Sequence, residues 1–175
     1  YGKKELLEAM PPFLSGGEMI SFVSRDGQEY APLPHKFEAG TVNAAGAAGL
    51  HAAIEYINSI GFEVIEAREA ALTKLAFDAM QKIPGVHIIG GKTAEEHKGI
   101  LTFTVEGVHP HDIAAILDAD GVNVRAGNHC AQPLLDHLCT GATARASLAF
   151  YNSAADVERF ISSLSTIRER MGYGR

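Results

Sequence analysis

The chain has 175 residues, which is the usual size of one compact domain with at most a short extension. Its hydrophobic fraction of 46% and charged fraction of 21% are typical of a water-soluble folded protein. A formal net charge of −6 argues against binding to a nucleic-acid backbone as the main activity. The sequence has no apolar run of about 18 residues and no apolar secretion signal at its start, so it predicts no association with a membrane.

The two cysteines, Cys130 and Cys139, are too few for a disulfide framework, and their spacing matches no zinc motif. We therefore expect the reducing environment of the cytoplasm and no bound metal. The absence of an initiator methionine suggests that the chain is a piece of a longer protein.

The first 43 residues predict short elements separated by turns. A helix over 3–10 is closed by the pair Pro11 and Pro12, since proline breaks a helix interior. A strand over 19–23 leads to an Asp-Gly turn at 26–27, which is typical of a hairpin. The prolines within 31–34 exclude a helix there.

From residue 44 onward, the pattern predicts longer elements. Thr41 or Asn43 can cap the first helix, and Gly61 suits its left-handed end. Pro110 suits the first turn of a helix, while Ser153 and Asp156 form a capping box at the start of the last one. The predicted helices are 44–60, 63–82, one from Pro110 that buries Ile113, Ile116 and Leu117, and one from Ser153; the predicted strands are 86–89, 100–105, 122–125 and 144–149.

This order predicts an α/β fold, a two-layer sandwich of helices on a mixed or antiparallel sheet rather than a doubly wound sheet. Residues 1–43 do not repeat the pattern. We interpret them as the C-terminal tail of a preceding larger domain, and residues 44–175 as a small C-terminal domain.

The most informative segment is the turn from Arg125 to Pro133, which reads RAGNHCAQP. It places Cys130 in a short glycine-containing turn beside an arginine and a histidine, and Pro133 acts as a stop signal at its end. The thiolate is the reactive form of cysteine, and neighbouring positive charge favours it. Buried, inert cysteines are also common, so the turn alone leaves a structural role and a nucleophile equally open.

Three separated motifs resemble the SufS-type, or group II, cysteine desulfurases of the class V aminotransferase family. They are FEAGTVN at 37–43, the RAGNHCAQP turn at 125–133, and ARASLAFYN at 144–152. The resemblance covers the whole chain but only the C-terminal portion of the family's sequence. It implies a fold-type I pyridoxal 5'-phosphate (PLP) transferase that removes sulfur from L-cysteine, leaving L-alanine, and supplies it for iron–sulfur cluster assembly.

The resemblance also implies roles for individual residues. Cys130 would be the catalytic nucleophile that accepts the sulfur as a persulfide, with Arg125 stabilising its thiolate and Gly127 allowing the turn to move. Arg145 and Arg125 would also bind the substrate: Arg145 matches the arginine that holds the substrate carboxylate, a task that suits its planar fork of donors. His129 neighbours the nucleophile, but adjacency in a turn does not make it a base.

Cofactor and partner contacts follow from the same resemblance. Gly40 and Thr41 match the place where a neighbouring subunit contributes to the PLP phosphate, which implies a homodimer. His111 matches a histidine that can ligate the zinc of a SufU-type sulfur acceptor; an acceptor of SufE type is the other expectation. A helix-start histidine that makes only a capping contact is an equally good interpretation of His111.

The family's cofactor lysine lies in a Ser-x-His-Lys type of segment that nothing here matches. The sequence Pro34-His35-Lys36 belongs to the first motif instead, so we interpret Lys36 as a solvated or phosphate-side lysine. The isolated chain should therefore not catalyse desulfuration. Two alternatives stay open: a non-catalytic module that relays or docks sulfur on Cys130, and a related enzyme acting on selenocysteine or cysteine sulfinate.

Overall fold

The structure is a computed structural model that describes residues 1–173. Its backbone contacts divide the chain into two compact units, Tyr1–Ser59 and Ile60–Arg175. The assignment of 1–43 and 44–175 to two domains of a longer protein stays a prediction. Among residues 1–173, no helix is long and apolar enough to cross a membrane.

The first unit contains a helix, a hairpin and most of a long helix. Ser24 and Gly27 close the hairpin, as the Asp-Gly turn predicts. Asn43, rather than Thr41, caps the long helix, because its Oδ1 accepts from the Gly46 amide at 2.8 Å. The elements are α1 (Lys4–Ala9), β1 (Ile20–Val23), β2 (Gln28–Tyr30), a 3₁₀ turn (His35–Phe37) and α2 (Ala44–Ile60).

The second unit is built around a four-stranded antiparallel sheet. Its strands lie in the order β3-β4-β6-β5, and helices pack on one face. The predicted two-layer α/β sandwich is therefore confirmed. The elements are α3 (Phe62–Met80), β3 (Val86–Ile89), a 3₁₀ turn (Ala94–Glu96), β4 (Ile100–Val105), α4 (Pro110–Ala119), β5 (Arg125–Gly127), α5 (Gln132–His137), β6 (Thr143–Ser147) and α6 (Ala154–Arg170).

One face of this sheet forms the core. Along β4 the burial alternates residue by residue, as expected for a strand with one covered face. Phe103 is fully buried and meets Phe160 of α6 edge to face, with ring centroids 5.9 Å apart. Ile113 and Leu117 of α4 are also fully buried, as the helical spacing predicts.

Two predicted elements differ from the structure. The strand predicted over 122–125 is found at Arg125–Gly127, because Val122 and Val124 pack against the core from the preceding loop instead of pairing with a strand. The sequence did not predict helix α5. Pro133 is not a stop signal, because it lies in the first turn of that helix, where its missing amide hydrogen costs nothing.

Candidate functional site

The predicted reactive turn lies at the end of β5, at the edge of the sheet. Strand β5 pairs with β6, and Arg125, Ala126 and Gly127 lie opposite Arg145, Ala144 and Thr143. Gly127 has a φ of 120°, a conformation that suits glycine, and the chain leaves the strand there. The next residues form a closed turn in which the Ala131 amide donates to the Asn128 carbonyl at 2.9 Å.

The sulfur of Cys130 is exposed at the tip of this turn. Nη2 of the Arg125 guanidinium donates a hydrogen bond to Sγ of Cys130, with the two atoms 3.4 Å apart. A guanidinium keeps its charge at any physiological pH, so it can stabilise a thiolate beside it. The turn thus brings Cys130 and Arg125 together, as the sequence predicted.

Arg145 lies in the middle of β6, between Thr102 of β4 and Arg125 of β5. Directly opposed residues of an antiparallel pair point to the same face, so both arginines lie on the face away from the core. The Arg145 side chain is half-buried, and its Nε has no hydrogen-bond partner among residues 1–173. An unpaired buried donor is costly, and a bound carboxylate would satisfy it.

His129 occupies a position that the sequence did not predict. Its Nε2 lies 3.1 Å from the Thr143 carbonyl oxygen and 2.8 Å from the Thr143 hydroxyl. Burial lowers the pKa of His129, and the nearby charges of Arg145 and Arg125 lower it further, against the opposing effect of the Thr143 hydrogen bond. The enrichment of Asn and His in left-handed backbone was the one sequence signal available, and it does not identify a tie to β6.

His111 lies in the first turn of α4 with an exposed side chain. Its backbone amide donates to Nδ1 of His109 at 3.3 Å, and the two rings meet edge to face at 5.2 Å. The capping histidine is therefore His109, and the imidazole of His111 makes no hydrogen bond within the described part of the chain. No group of three or more metal-ligand side chains forms among residues 1–173.

Gly40 and Thr41 belong to the first unit. The Gly40 amide donates to the Gly17 carbonyl at 2.8 Å, so it is already engaged. Thr41 is exposed, and no described residue forms a hydrogen bond with its hydroxyl. Lys36 is engaged as well, because its ammonium donates to the Leu7 and Glu8 carbonyls at the end of α1, at 3.2 and 2.8 Å.

The family model for aminotransferase class-V matches residues 1–160. The chain therefore belongs to the class V aminotransferase family. Among curated proteins, it is 48% identical over 172 residues to a probable cysteine desulfurase of Xylella fastidiosa (strain 9a5c), a match that covers 98% of this chain and 41% of that protein. The chain thus spans about two fifths of the length of such relatives.

Solved structures give the same picture. The cysteine desulfurase CsdA of Escherichia coli, in an S-sulfonic acid form, superposes with a TM-score of 0.87 and is 40% identical, covering 97% of this chain and 42% of that one. The apo cysteine desulfurase of Thermococcus onnurineus NA1 has a TM-score of 0.89 and is 39% identical, again covering 97% and 42%. The fold class is that of the fold-type I PLP-dependent transferases.

Membership of this family implies PLP as a cofactor. The hydrogen-bond donors of this chain suit the anionic group of PLP rather than its aldehyde. The unpaired Thr41 hydroxyl suits a phosphate oxygen, and the unpaired Nε of Arg145 suits a carboxylate. Lys36 is held by two carbonyls and is poorly placed to react with an aldehyde. These donors therefore suit anionic groups, among them the phosphate of PLP.

Proposed function

We propose that this chain is the C-terminal portion of a SufS-type cysteine desulfurase, in which Cys130 accepts the sulfur. One observation carries the proposal: Cys130 is exposed on a closed turn, with its Sγ 3.4 Å from the guanidinium of Arg125. The likeness to probable cysteine desulfurases over nearly the whole chain supports it.

The proposed step is a transfer of sulfur between two thiols. The Cys130 thiolate attacks the sulfur of L-cysteine, so an S–S bond forms and the C–S bond of the substrate breaks. The electron pair of the broken bond stays with the substrate carbon, which takes up a proton and leaves as L-alanine. Cys130 is left as a persulfide. When bound, PLP supplies the electron sink that makes this carbon a leaving group.

Arg145 and Arg125 have different proposed roles. Arg145 holds the substrate carboxylate, because its half-buried fork can make two parallel hydrogen bonds that fix orientation as well as charge. Arg125 stabilises the Cys130 thiolate. Thr41, through a hydroxyl left unpaired by residues 1–173, would contribute to the phosphate of PLP in a homodimer, whereas the Gly40 amide is already bonded to Gly17. The cofactor lysine would come from the part of the protein outside this chain, so this part alone should be inactive.

The persulfide then has to leave, and an exposed sulfur on a turn suits transfer to another protein. We propose a small acceptor protein of SufU or SufE type that passes the sulfur to iron–sulfur cluster assembly. His111 is exposed and its imidazole makes no hydrogen bond within residues 1–173, so it could ligate the zinc of an acceptor of the SufU type. A reducing cytoplasm would keep Cys130 and Cys139 as thiols.

The test uses the full-length protein that contains this chain, loaded with PLP and supplied with L-cysteine and a reductant. Alanine and sulfide should form, and Cys130→Ala should lower the rate by roughly 10³-fold or more, because no other group replaces a missing nucleophile. The visible absorbance of the bound cofactor should persist in the variant.

Cys139→Ala is the matched control, since Cys139 is also an exposed cysteine with left-handed backbone, nine positions further along the same segment. It should keep its activity. Equal turnover by wild type and Cys130→Ala would remove Cys130 from the mechanism. A wild-type protein that forms no alanine but still takes up persulfide from another protein would favour a relay module. Faster turnover of selenocysteine than of cysteine would favour a selenocysteine lyase.

A further inference from the structure

The turn that carries Cys130 has a backbone conformation that needs external support. His129 and Cys130 both have positive φ values, 54° and 57°. Residues with a Cβ atom disfavour this left-handed region, and two in succession disfavour it more. Such conformations persist where surrounding contacts determine them. The support should therefore be visible as contacts made by the turn itself.

The imidazole of His129 supplies such a contact. It reaches fourteen residues along the chain to Thr143, the first residue of β6, which is fully buried. Thr143 also lies opposite Gly127, where the chain leaves β5. The turn is thus connected to β6 in two ways. Gly127 pairs with Thr143 through the backbone, and the His129 side chain forms hydrogen bonds with Thr143.

The geometry also assigns the protonation of the ring. The Thr143 carbonyl oxygen can only accept, so the tautomer that satisfies it carries its hydrogen on Nε2, with the Thr143 hydroxyl oxygen at 2.8 Å able to accept as well. In a neutral imidazole, Nδ1 is then an unprotonated acceptor, and it is buried without a partner within residues 1–173. Protonation would place a buried N–H there with no acceptor and add a third positive charge near Arg125 and Arg145, so the tie suits the neutral ring.

We propose that His129 is a positioning residue that ties the Cys130 turn to Thr143 of β6 and so holds Sγ beside Arg125. His129 does not exchange a proton with the substrate in this account; it fixes where the nucleophile stands. The inference rests on the proposed function of Cys130. Displacement of a reacting group by about 1 Å can cost on the order of 100-fold in rate, so a lost tie should be measurable.

The decisive pair of variants is His129→Ala and His129→Gln, made in the full-length PLP-loaded enzyme. The amide of Gln can place a donor near the position of Nε2 and does not titrate near neutral pH, so it can keep the tie without acid–base chemistry. We expect kcat for alanine formation to fall about 10- to 100-fold in His129→Ala and to return within about threefold of wild type in His129→Gln. KM for L-cysteine should change little in either variant.

A second readout does not depend on desulfuration. The rate at which iodoacetamide alkylates Cys130 is measured at one fixed pH by mass spectrometry, after cleavage before Asp136 to separate Cys130 from Cys139. In His129→Ala the rate should fall, because Sγ loses its fixed place beside Arg125 and the positive charge that stabilises the reactive thiolate; in His129→Gln it should match wild type. His137→Ala, which changes an exposed histidine of α5, is the control and should match wild type in both readouts.

Several results would overturn the proposal. A His129→Ala variant with kcat within twofold of wild type would show that the tie is dispensable. If His129→Gln loses as much activity as His129→Ala while keeping its thermal stability and cofactor absorbance, the imidazole acts by proton transfer and not by position. If His129→Ala fails to fold, the kcat and the alkylation rate of His129→Gln alone test the proposal: values near wild type support it, and a large loss of kcat overturns it. If the wild-type enzyme forms no alanine, the proposed function of Cys130 is wrong. The alkylation rates of Cys130 still test whether the His129–Thr143 hydrogen bond positions its sulfur.

Discussion

The two faces of the four-stranded sheet differ in chemistry, although they are made of the same strands. On one face, Phe103, Ala144 and Ala146 are buried beneath α3, α4 and α6. On the other face, the neighbouring residues Thr102 and Arg145 are half-buried and Arg125 is exposed. Because side chains alternate along a strand, each strand can serve the core with one set of residues and present functional groups with the other.

This division predicts that stability and activity can be changed separately. Substitutions on the covered face should unfold the protein without altering the chemistry of the folded molecules. Substitutions on the open face should alter binding or reaction with little loss of stability.

The largest expected effect separates two adjacent residues of β4. Phe103→Ala should lower the free energy of unfolding by about 3–5 kcal/mol, because it leaves a cavity under α6 in a core that cannot close fully. Thr102→Ala, on the opposite face, should change it by no more than about 0.5 kcal/mol. Chemical denaturation of the full-length protein measures both, and equal losses would contradict the division of the two faces.

The second effect separates the two arginines that face each other on β5 and β6. Arg145→Lys keeps the charge but loses the planar fork, so KM for L-cysteine should rise roughly 10- to 100-fold while the affinity for PLP stays the same. Arg125→Lys is the matched comparison and should instead slow the alkylation of Cys130 with little change in KM. Steady-state kinetics and cofactor titration distinguish them. A parallel loss of substrate and cofactor binding in Arg145→Lys would indicate a folding defect.

The smallest effect concerns an ion pair that ties the end of α4 to α6. Arg170 makes two hydrogen bonds to Asp120, at 2.6 and 2.9 Å, and these, with a bond from Ser163, hold the pKa of the Asp120 carboxyl below its usual value of 3.8. The carboxylate therefore contributes stability above that value and loses it as the pH falls through the depressed pKa. The contribution is small because the pair is partly exposed.

Asp120→Asn should accordingly be slightly less stable than wild type at pH 7; the difference should begin to shrink near pH 3.8 and vanish only once the pH is below the depressed pKa of Asp120. Thermal unfolding across this range measures it. Desulfuration should not change, since neither residue lies on the open face of the sheet. A difference that grew toward low pH would contradict the stated direction of the pKa.

The sequence was most informative where periodicity or capping chemistry determines structure. Ile113 and Leu117 lie on the buried face of α4, and Ser153 and Asp156 form the expected capping box of α6. It was less informative where tertiary packing decides. Val122 and Val124 are suited to a strand but pack on the core from a loop, and Pro133 begins a helix that it was expected to prevent.

The candidate site shows the same limit. The motif around Cys130 was sufficient to predict an exposed sulfur near Arg125, since both belong to one short segment. The tie from His129 to Thr143 was not predictable, because it joins residues that are distant in sequence and depends on how β6 pairs with β5. Likewise, the motif suggested that Gly40 offers its amide to phosphate, whereas the structure shows that amide bonded to Gly17.

The most direct test of the central claim is to find the transferred sulfur. The full-length PLP enzyme is mixed with L-cysteine, without reductant or acceptor, trapped with an alkylating reagent and cleaved before Asp136, which separates Cys130 from Cys139 for mass spectrometry. We expect the peptide containing Cys130 to gain the mass of one sulfur atom and the peptide containing Cys139 to gain none. If one alanine forms per enzyme subunit while Cys130 remains an unmodified thiol, Cys130 is not the sulfur acceptor.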